Sequence, residues 1–440
     1  MNWNRRTVVG AGAALAAMPL GGAKASTPKA KAFPKGFLWG AATAGHQVEG
    51  NNVNSDFWVA ETVKPTIFAE PSLDADNSFE LWPSDLDLVK SLGLNTYRFS
   101  LEWSRIEPEP GVFSRAMLDH YKAMIEGCRA RGLTPMVTFS HFTTPRWFAA
   151  RGGWTNPDAP ELFARYCDRA ARHLAGGIAY AMTLNEPNDI RDPASVAKLA
   201  TIKPRLDAML AAAAKVVGSD RFVFANLGVT DFDQYTKTLI AAHKAGRAAI
   251  KAARGDLPVG VTLAMPDDQA VGPDSMRDRF RAQAYLPWLE AARSDDFLGV
   301  QNYERQRWDA KGKLEPEPGG LRNAGGGEVY PASLANAVRY AYSLAQVPII
   351  VTEHGINTHD DALRVDMIKQ SLAELKRAMD EGVPVKGYVH WSLLDNFEWI
   401  SGYKHQYGLV AVDRTTFRRT PKPSAGVLGA IARANALPSA

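Results

Sequence analysis

The stretch Ile349-Ile350-Val351-Thr352-Glu353-His354-Gly355 is a run of apolar, mostly β-branched residues that ends in a carboxylate and a glycine. Unbroken Ile/Val runs of this length are the pattern of a strand buried on both faces, as in a parallel sheet covered by helices. Glu353 then stands where strand passes into loop, and in an α/β barrel that rim carries the chemistry. A lone acid at a strand end is also what a solvated loop looks like, so the reading depends on a second acid in an equivalent place. Ala181-Met182-Thr183-Leu184-Asn185-Glu186-Pro187-Asn188 supplies it. Pro187 disfavours helical geometry at Glu186, which suggests that this acid is held on an extended strand end.

Outward from these two stretches the chain alternates short apolar strands with longer amphipathic segments. Strands are predicted at Phe37–Thr43, Asn95–Ser100, Pro135–Ser140, Tyr180–Leu184, Val259–Ala264, Phe297–Asn302, Pro348–Thr352 and Lys386–Ser392. Helical periodicity fills the intervals, for example at Ser84–Leu92, Arg115–Arg131, Asp158–Leu174, Asp233–Arg254, Tyr330–Leu344 and Asp361–Glu381, with glycine stops at Gly93 and Gly132. Strand and helix alternating eight times predict an α/β fold of the (β/α)8 barrel type, a single domain over residues 36–440. Two stretches interrupt the alternation: Asn188–Thr230, with Ala-rich helix and the apolar run Phe222–Leu227, and the Gly/Pro-rich Ala310–Gly327. They follow the fourth and sixth strands, so both are expected as elaborated loops over the carboxyl face. Glu186 and Glu353 end strands four and seven, whose ends face each other across the mouth. Two carboxylates so placed can flank a glycosidic bond, about 5–5.5 Å apart for retention or about 6.5–9.5 Å for inversion.

Composition narrows the function classes. A net charge of +4 arises from 51 basic and 47 acidic residues without long blocks of one sign, which argues against a nucleic-acid partner. The 42 aromatic residues (11 Trp, 13 Tyr and 18 Phe) suit stacking on sugar rings as well as a core. At the amino end, Arg5-Arg6 precede the apolar run Val8–Leu20 and the small residues Ala23-Lys24-Ala25, the pattern of a twin-arginine export signal over residues 1–25. A linker over 26–35 follows, and export to the periplasm or beyond is expected. The apolar run is too short for a stable membrane anchor. Cys128 and Cys167 fall on helical patterns and read as free buried thiols. The nine histidines do not fall in metal-ligand spacing, and the chemistry needs no cofactor.

Thr183-Leu184-Asn185-Glu186-Pro187 and Val351-Thr352-Glu353-His354-Gly355 resemble the two acid motifs of glycoside hydrolase family 1, the retaining β-glucosidases and their relatives. The likeness runs from Phe37-Leu38-Trp39-Gly40-Ala41-Ala42-Thr43-Ala44 to Arg419-Thr420-Pro421-Lys422, and its most specific piece is Trp391-Ser392-Leu393-Leu394-Asp395-Asn396-Phe397-Glu398-Trp399. The resemblance implies Glu353 as nucleophile and Glu186 as acid, later base. It implies Arg98 and Tyr303 as supports of the nucleophile, and Gln47, His141, Asn185, Trp391, Glu398 and Trp399 as the sugar's contacts, with Trp391 the floor. A cis peptide at Trp391-Ser392 is implied as well. The small-molecule partner expected is a β-glycoside, most simply an aryl or short β-glucoside. An acid at Glu398 is absent from the members that take 6-phosphorylated sugars.

Departures from the family pattern bear on the substrate. His141-Phe142-Thr143 stands where His-Trp-Asp is usual, Gln301 where Asn is usual, and His354 where Asn follows the nucleophile. His354 could alter the nucleophile's acidity or face away. Galactose, fucose or glucuronic acid are alternatives to glucose, and an inactive carbohydrate-binding protein is the alternative outside enzymes.

Overall fold

A computed structural model of the chain describes residues 32–188, 193–225, 227, 229 and 231–438, the side chains of 193–199 excepted. The twin-arginine segment and most of the 26–35 linker lie outside the described residues. Eight strands close a barrel: β1 (Leu38–Ala42), β2 (Thr96–Ser100), β3 (Thr134–Ser140), β4 (Tyr180–Asn185), β5 (Val259–Ala264), β6 (Phe297–Asn302), β7 (Ile349–His354) and β8 (Val385–Trp391). Every neighbouring pair is parallel, and β8 closes onto β1. All eight predicted strands are present within one or two residues of their expected ends.

Two hydrophobic layers explain why these segments fold so. Leu38, Met136, Met182, Phe297, Ile350 and Val389 fill the barrel interior. Trp39, Val137, Ala181, Val261, Val300, Val351 and Tyr388 face the surrounding helices in a much larger cluster. Both faces of each strand are therefore apolar, which is why the runs in the sequence are continuous rather than alternating. The helix Ala159–Leu174 packs closely on Phe232–Ala253. Gly246 there would place a Cβ 2.7 Å from the Phe163 ring, so the close approach of these helices requires the missing side chain.

One helix departs from expectation. The segment predicted to begin at Ser84 begins at Ser78 and runs to Ser91 straight through Pro83. Proline removes one backbone hydrogen bond, but Ser78 Oγ donates to Asp85 Oδ2 at 2.7 Å, and Arg419 grips the same Asp85 at 2.8 and 3.1 Å. These buried contacts hold the first turn in helical form despite the loss.

The Ala-rich part of the first inserted loop forms the helix Pro193–Val216. Its inner residues Leu206, Met209 and Ala213, with Phe222 and Phe224, pack against Phe57, Phe68 and Phe397 beside Trp399. After β5 and β6 the chain adds a short parallel pair, Asp267–Ala270 with Arg305–Trp308, which extends the wall of the barrel mouth. No helix among the described residues is long and apolar enough to cross a membrane. Both cysteines are free and buried.

Candidate active site

The acid of the opening stretch is aimed by a slip in strand register. Val300 pairs with Val351, but the next residue, Gln301, pairs with Glu353, so β7 carries one extra residue at Thr352. Ile350 faces the barrel interior and Val351 the helices. Strict alternation would then turn Glu353 outward, because a one-residue shift moves every following side chain to the other face. The extra residue restores Glu353 to the interior and turns His354 out. β4 does the same: Met182 pairs with Gly260 and Asn185 with Thr262, three residues against two. Both acid-bearing strands are thus irregular just before the acid.

Glu353 is 3% exposed and Arg98, on β2, is 1% exposed. Arg98 Nη1 donates to Glu353 Oε1 at 2.5 Å, and the Tyr303 hydroxyl donates to Oε2 at 2.5 Å. Burial raises the Glu353 carboxyl above its ordinary value, and the Arg98 guanidinium and the Tyr303 hydrogen bond offset only part of that rise. Protonating it would leave the buried guanidinium without its counter-charge, so the pair is held as carboxylate and cation. Tyr303 itself is kept protonated far above its ordinary range by burial and then by the charges of Glu353 and Glu186. One hydroxyl therefore feels both acids.

Glu186 sits on the rim with φ +44°, a left-handed backbone rather than the extended one anticipated. Pro187 disfavours the right-handed helical region at Glu186. The turn selects the left-handed one: Glu186 N donates to Thr262 O at 2.9 Å, and the Asn188 side chain closes a two-way bridge with the Ala264 backbone at 2.9 and 3.0 Å. Left-handed non-glycine residues cluster at functional sites because the fold must hold them there. Asn185 is fixed from three sides, its Oδ1 accepting from Arg98 Nη2 at 2.6 Å, Gln301 Nε2 at 2.9 Å and Thr262 Oγ1 at 3.2 Å. Its Nδ2 donates to His141 Nε2 at 3.2 Å, which leaves the His141 proton on Nδ1. Burial, then the Arg98 charge, holds His141 well below the ordinary histidine range and so neutral.

The expected sugar contacts converge on the same mouth. Trp391, His141 and Trp399 form a near-parallel ladder, with ring centroids 5.5 and 6.1 Å apart. Gln47 donates to Phe397 O at 2.8 Å and Asn396 Oδ1 at 3.1 Å, and its own carbonyl oxygen is buried without a partner. Glu398 is pushed up to about 8 by burial and by the charges of Glu353 and Asp395, against a hydrogen bond from Trp391. The Trp391–Ser392 peptide is cis, as the resemblance implies. All ten candidate residues thus stand around the carboxyl mouth. A fixed carboxylate, a second acid on the opposite strand end, an aromatic platform and polar groups with unmet hydrogen bonds can hold and cleave a sugar acetal.

The departures resolve individually. His354 faces away, with Nδ1 at 2.9 Å from the Tyr388 hydroxyl in the helix-facing layer; burial depresses it to about 3, so it is uncharged. Phe142 sits at φ +66° with its ring edge-on to Trp399. Thr143 donates to buried Glu102 at 2.7 Å. Gln301 anchors Asn185, as above. Sequence reasoning missed Thr262 and Tyr407, whose ring packs edge-on to Tyr303 at 5.6 Å. Thr262 could have been found from its inward position in β5; Tyr407 lies in a segment with no periodicity to mark it.

A family model described as Glycosyl hydrolase family 1 matches residues 29–200 and 293–437. Beta-glucosidase 47 of Arabidopsis thaliana is 30% identical over 89% of this chain and 83% of its own length. Among solved structures, the apo form of a beta-glucosidase 1317 superposes with a TM-score of 0.87 at 44% identity, covering 91% of this chain and 98% of that one. A family 1 β-glucosidase from Thermotoga maritima gives 0.81 at 25% identity, covering 93% and 100%.

Proposed function

The chain belongs to glycosyl hydrolase family 1, and from that premise we propose that it is a retaining, exo-acting β-glucosidase working by double displacement. Glu353 attacks the anomeric carbon while Glu186 gives its proton to the departing oxygen. The glycosyl-enzyme so formed is opened by a water that Glu186 deprotonates, which returns both acids to their starting states. Arg98 and Tyr303 keep the attacking carboxylate ionised and oriented. Asn185, His141, Gln47, Glu398, Trp399 and Trp391 bind the non-reducing sugar. The observation that carries the reading is Glu353 gripped by Arg98 and Tyr303, with Glu186 and Tyr303 lining one cavity.

Proton NMR of an aryl β-glucoside during hydrolysis tests it. β-Glucose should appear first and mutarotate later; α-glucose as the first product would refute retention. Glucose over galactose, fucose or glucuronic acid is supported by the glucosidase names of the three proteins compared above and is tested by kcat/KM on the corresponding aryl glycosides. Export by way of Arg5-Arg6 belongs to the same proposal. Replacing both by lysine should leave the protein in the cytoplasmic fraction, and unchanged fractionation would remove that part.

A further inference from the structure

The fourth strand is held out of regular alternation by contacts on its helix side. Met182 fills the barrel interior and Asn185 reaches Arg98, so Thr183 and Leu184 between them both point outward, opposite the single residue Val261 of β5. Regular alternation would turn Leu184 inward and Asn185 outward. Leu184 shares a cavity of about 40 Å³ with Tyr235 and Leu239 of the helix Phe232–Ala253 and with Glu186. That is room for roughly one water, and it leaves the strand end space to shift. Something must hold the slip in place.

Thr183 is pinned by a buried relay. Its Oγ1 is 2.7 Å from His243 Nδ1, His243 Nε2 is 3.2 Å from Asp295 Oδ2, and Arg247 Nε is 3.1 Å from Asp295 Oδ1. Asp295 selects the histidine tautomer with its proton on Nε2, so Nδ1 accepts from the Thr183 hydroxyl. The neighbouring Asp296 accepts from Val259 N at 2.9 Å and pairs with Lys251 at 2.8 Å, while Asp296 N donates to Val259 O at 3.1 Å. The relay is thus rooted in the residues that open β5 and β6, at the far end of the barrel from the acids.

The layer around it is apolar and includes Ala181, Leu239, Ala242 and Val261. A buried ionic chain in such a layer can be replaced by apolar side chains at little or no cost in stability, so stability alone does not account for it. Its position coincides with the slip. Thr183 and His243 have no exposed surface, so they act on substrate only through the strand. Asn185 has further anchors in Arg98, Gln301 and Thr262. Glu186, one residue on, takes its direction from the backbone that leaves the slip, and loosening the slip bears on it first.

We propose that His243 is a positioning residue for the acid: through Thr183 it holds the slip of β4 and so fixes the direction in which Glu186 meets the departing oxygen. The proposal rests on Glu186 being that acid.

The full chain is assayed for kcat/KM on 2,4-dinitrophenyl and phenyl β-glucosides. The first leaves without a proton and the second needs one, so Glu186→Ala sets the reference ratio between them. Thr183→Val, which keeps the shape and removes the hydroxyl, should stay within about threefold of wild type on the dinitrophenyl glucoside and fall about thirtyfold on the phenyl glucoside, part of the roughly 10²–10⁴-fold that a positioned acid supplies. His243→Leu should show the same selectivity, and the double variant should be no slower than the slower single one, because both break one contact. Retained turnover of the dinitrophenyl glucoside shows that the fold survives. Equal losses on the two glucosides, no loss on either, or additive losses in the double variant would each overturn the proposal, since a purely structural defect is blind to the leaving group. Equal losses in Glu186→Ala itself would instead overturn the assignment of the acid, and the relay's role with it.

Discussion

Replacing Arg98 by methionine separates the two contributions that hold the candidate nucleophile. The side chain is 1% exposed and its partner Glu353 3% exposed, joined at 2.5 Å. Removing one member of such a buried pair leaves an uncompensated charge and costs about 3–5 kcal/mol. At about 2.1 cal/mol/K of unfolding entropy per residue, the roughly 400 folded residues convert this into a fall of about 4–6 °C in Tm. Glu353→Gln, which strands the guanidinium, should cost a similar amount. The double variant Arg98→Met/Glu353→Gln, with neither charge present, should recover to within about 1 kcal/mol of wild type, because a buried pair replaced whole is close to neutral. Activity supplies the second readout. Arg98 lowers the Glu353 carboxyl, so its loss raises that group and moves the acidic limb of the kcat/KM profile to higher pH, by about one unit for each 1.36 kcal/mol of lost interaction. Differential scanning calorimetry of the four proteins and pH profiles of the two that retain Glu353 are the assays. Additive losses in the double variant would refute the reasoning, since they would mean that the two side chains are not coupled.

Further outcomes follow from single contacts. Tyr303→Phe removes one charge-assisted hydrogen bond to Glu353, worth about 1.5–3 kcal/mol, so kcat/KM should fall about tenfold to a hundredfold with the acidic limb again shifted upward; an unchanged profile would separate Tyr303 from the nucleophile. Glu398 is raised from 4.5 to about 8 in the folded state, so the native form binds more protons than the unfolded one between those values and its contribution to stability declines as pH rises through that window. Glu398→Gln abolishes this term, and its Tm relative to wild type should climb from pH 5 to about pH 8 and level off above that; a constant difference would show that Glu398 is ionised throughout. His354→Asn should change kcat/KM by less than about threefold while costing about 1 kcal/mol of stability, because the Tyr388 hydroxyl loses its partner at 2.9 Å and keeps only His390 Nδ1 at 3.3 Å. A large loss of activity with an unchanged Tm would place His354 in the chemistry after all.

The barrel was legible because each of its strands is buried on both faces, so that Ile349–Val351 stands out as an unbroken apolar run, and Val259–Ala264 as one interrupted only by Gly260 and Thr262, between amphipathic helices. Arg98 was legible for a related reason: it follows Thr96 in strict alternation on β2, and a charge inside a strand needs a buried partner. What the chain concealed were single-residue slips. The extra residues at Thr352 and between Met182 and Asn185 leave composition unchanged, yet they decide that Glu353 and Asn185 face inward and that His354 does not. The left-handed turn at Glu186 was hidden because Pro187 only disfavours one backbone region and does not choose between the others. The pair Asp267–Ala270 and Arg305–Trp308 carries no apolar pattern at all. It forms because Trp308 Nε1 and the Tyr285 hydroxyl both bind Asp268, at 2.7 and 2.9 Å, contacts between segments far apart in sequence.

The central claim, that Glu353 attacks and Glu186 protonates, is tested most directly by azide rescue. Glu353→Ala should lose nearly all activity on an activated aryl β-glucoside. Added azide, which can enter the space vacated by the carboxylate, should restore turnover and give the α-glucosyl azide, a single inversion. Glu186→Ala, which still forms the covalent intermediate with a good leaving group, should give the β-glucosyl azide instead. The opposite pairing of variant and anomer, or α-azide from a variant at some other carboxylate, would contradict the assignment.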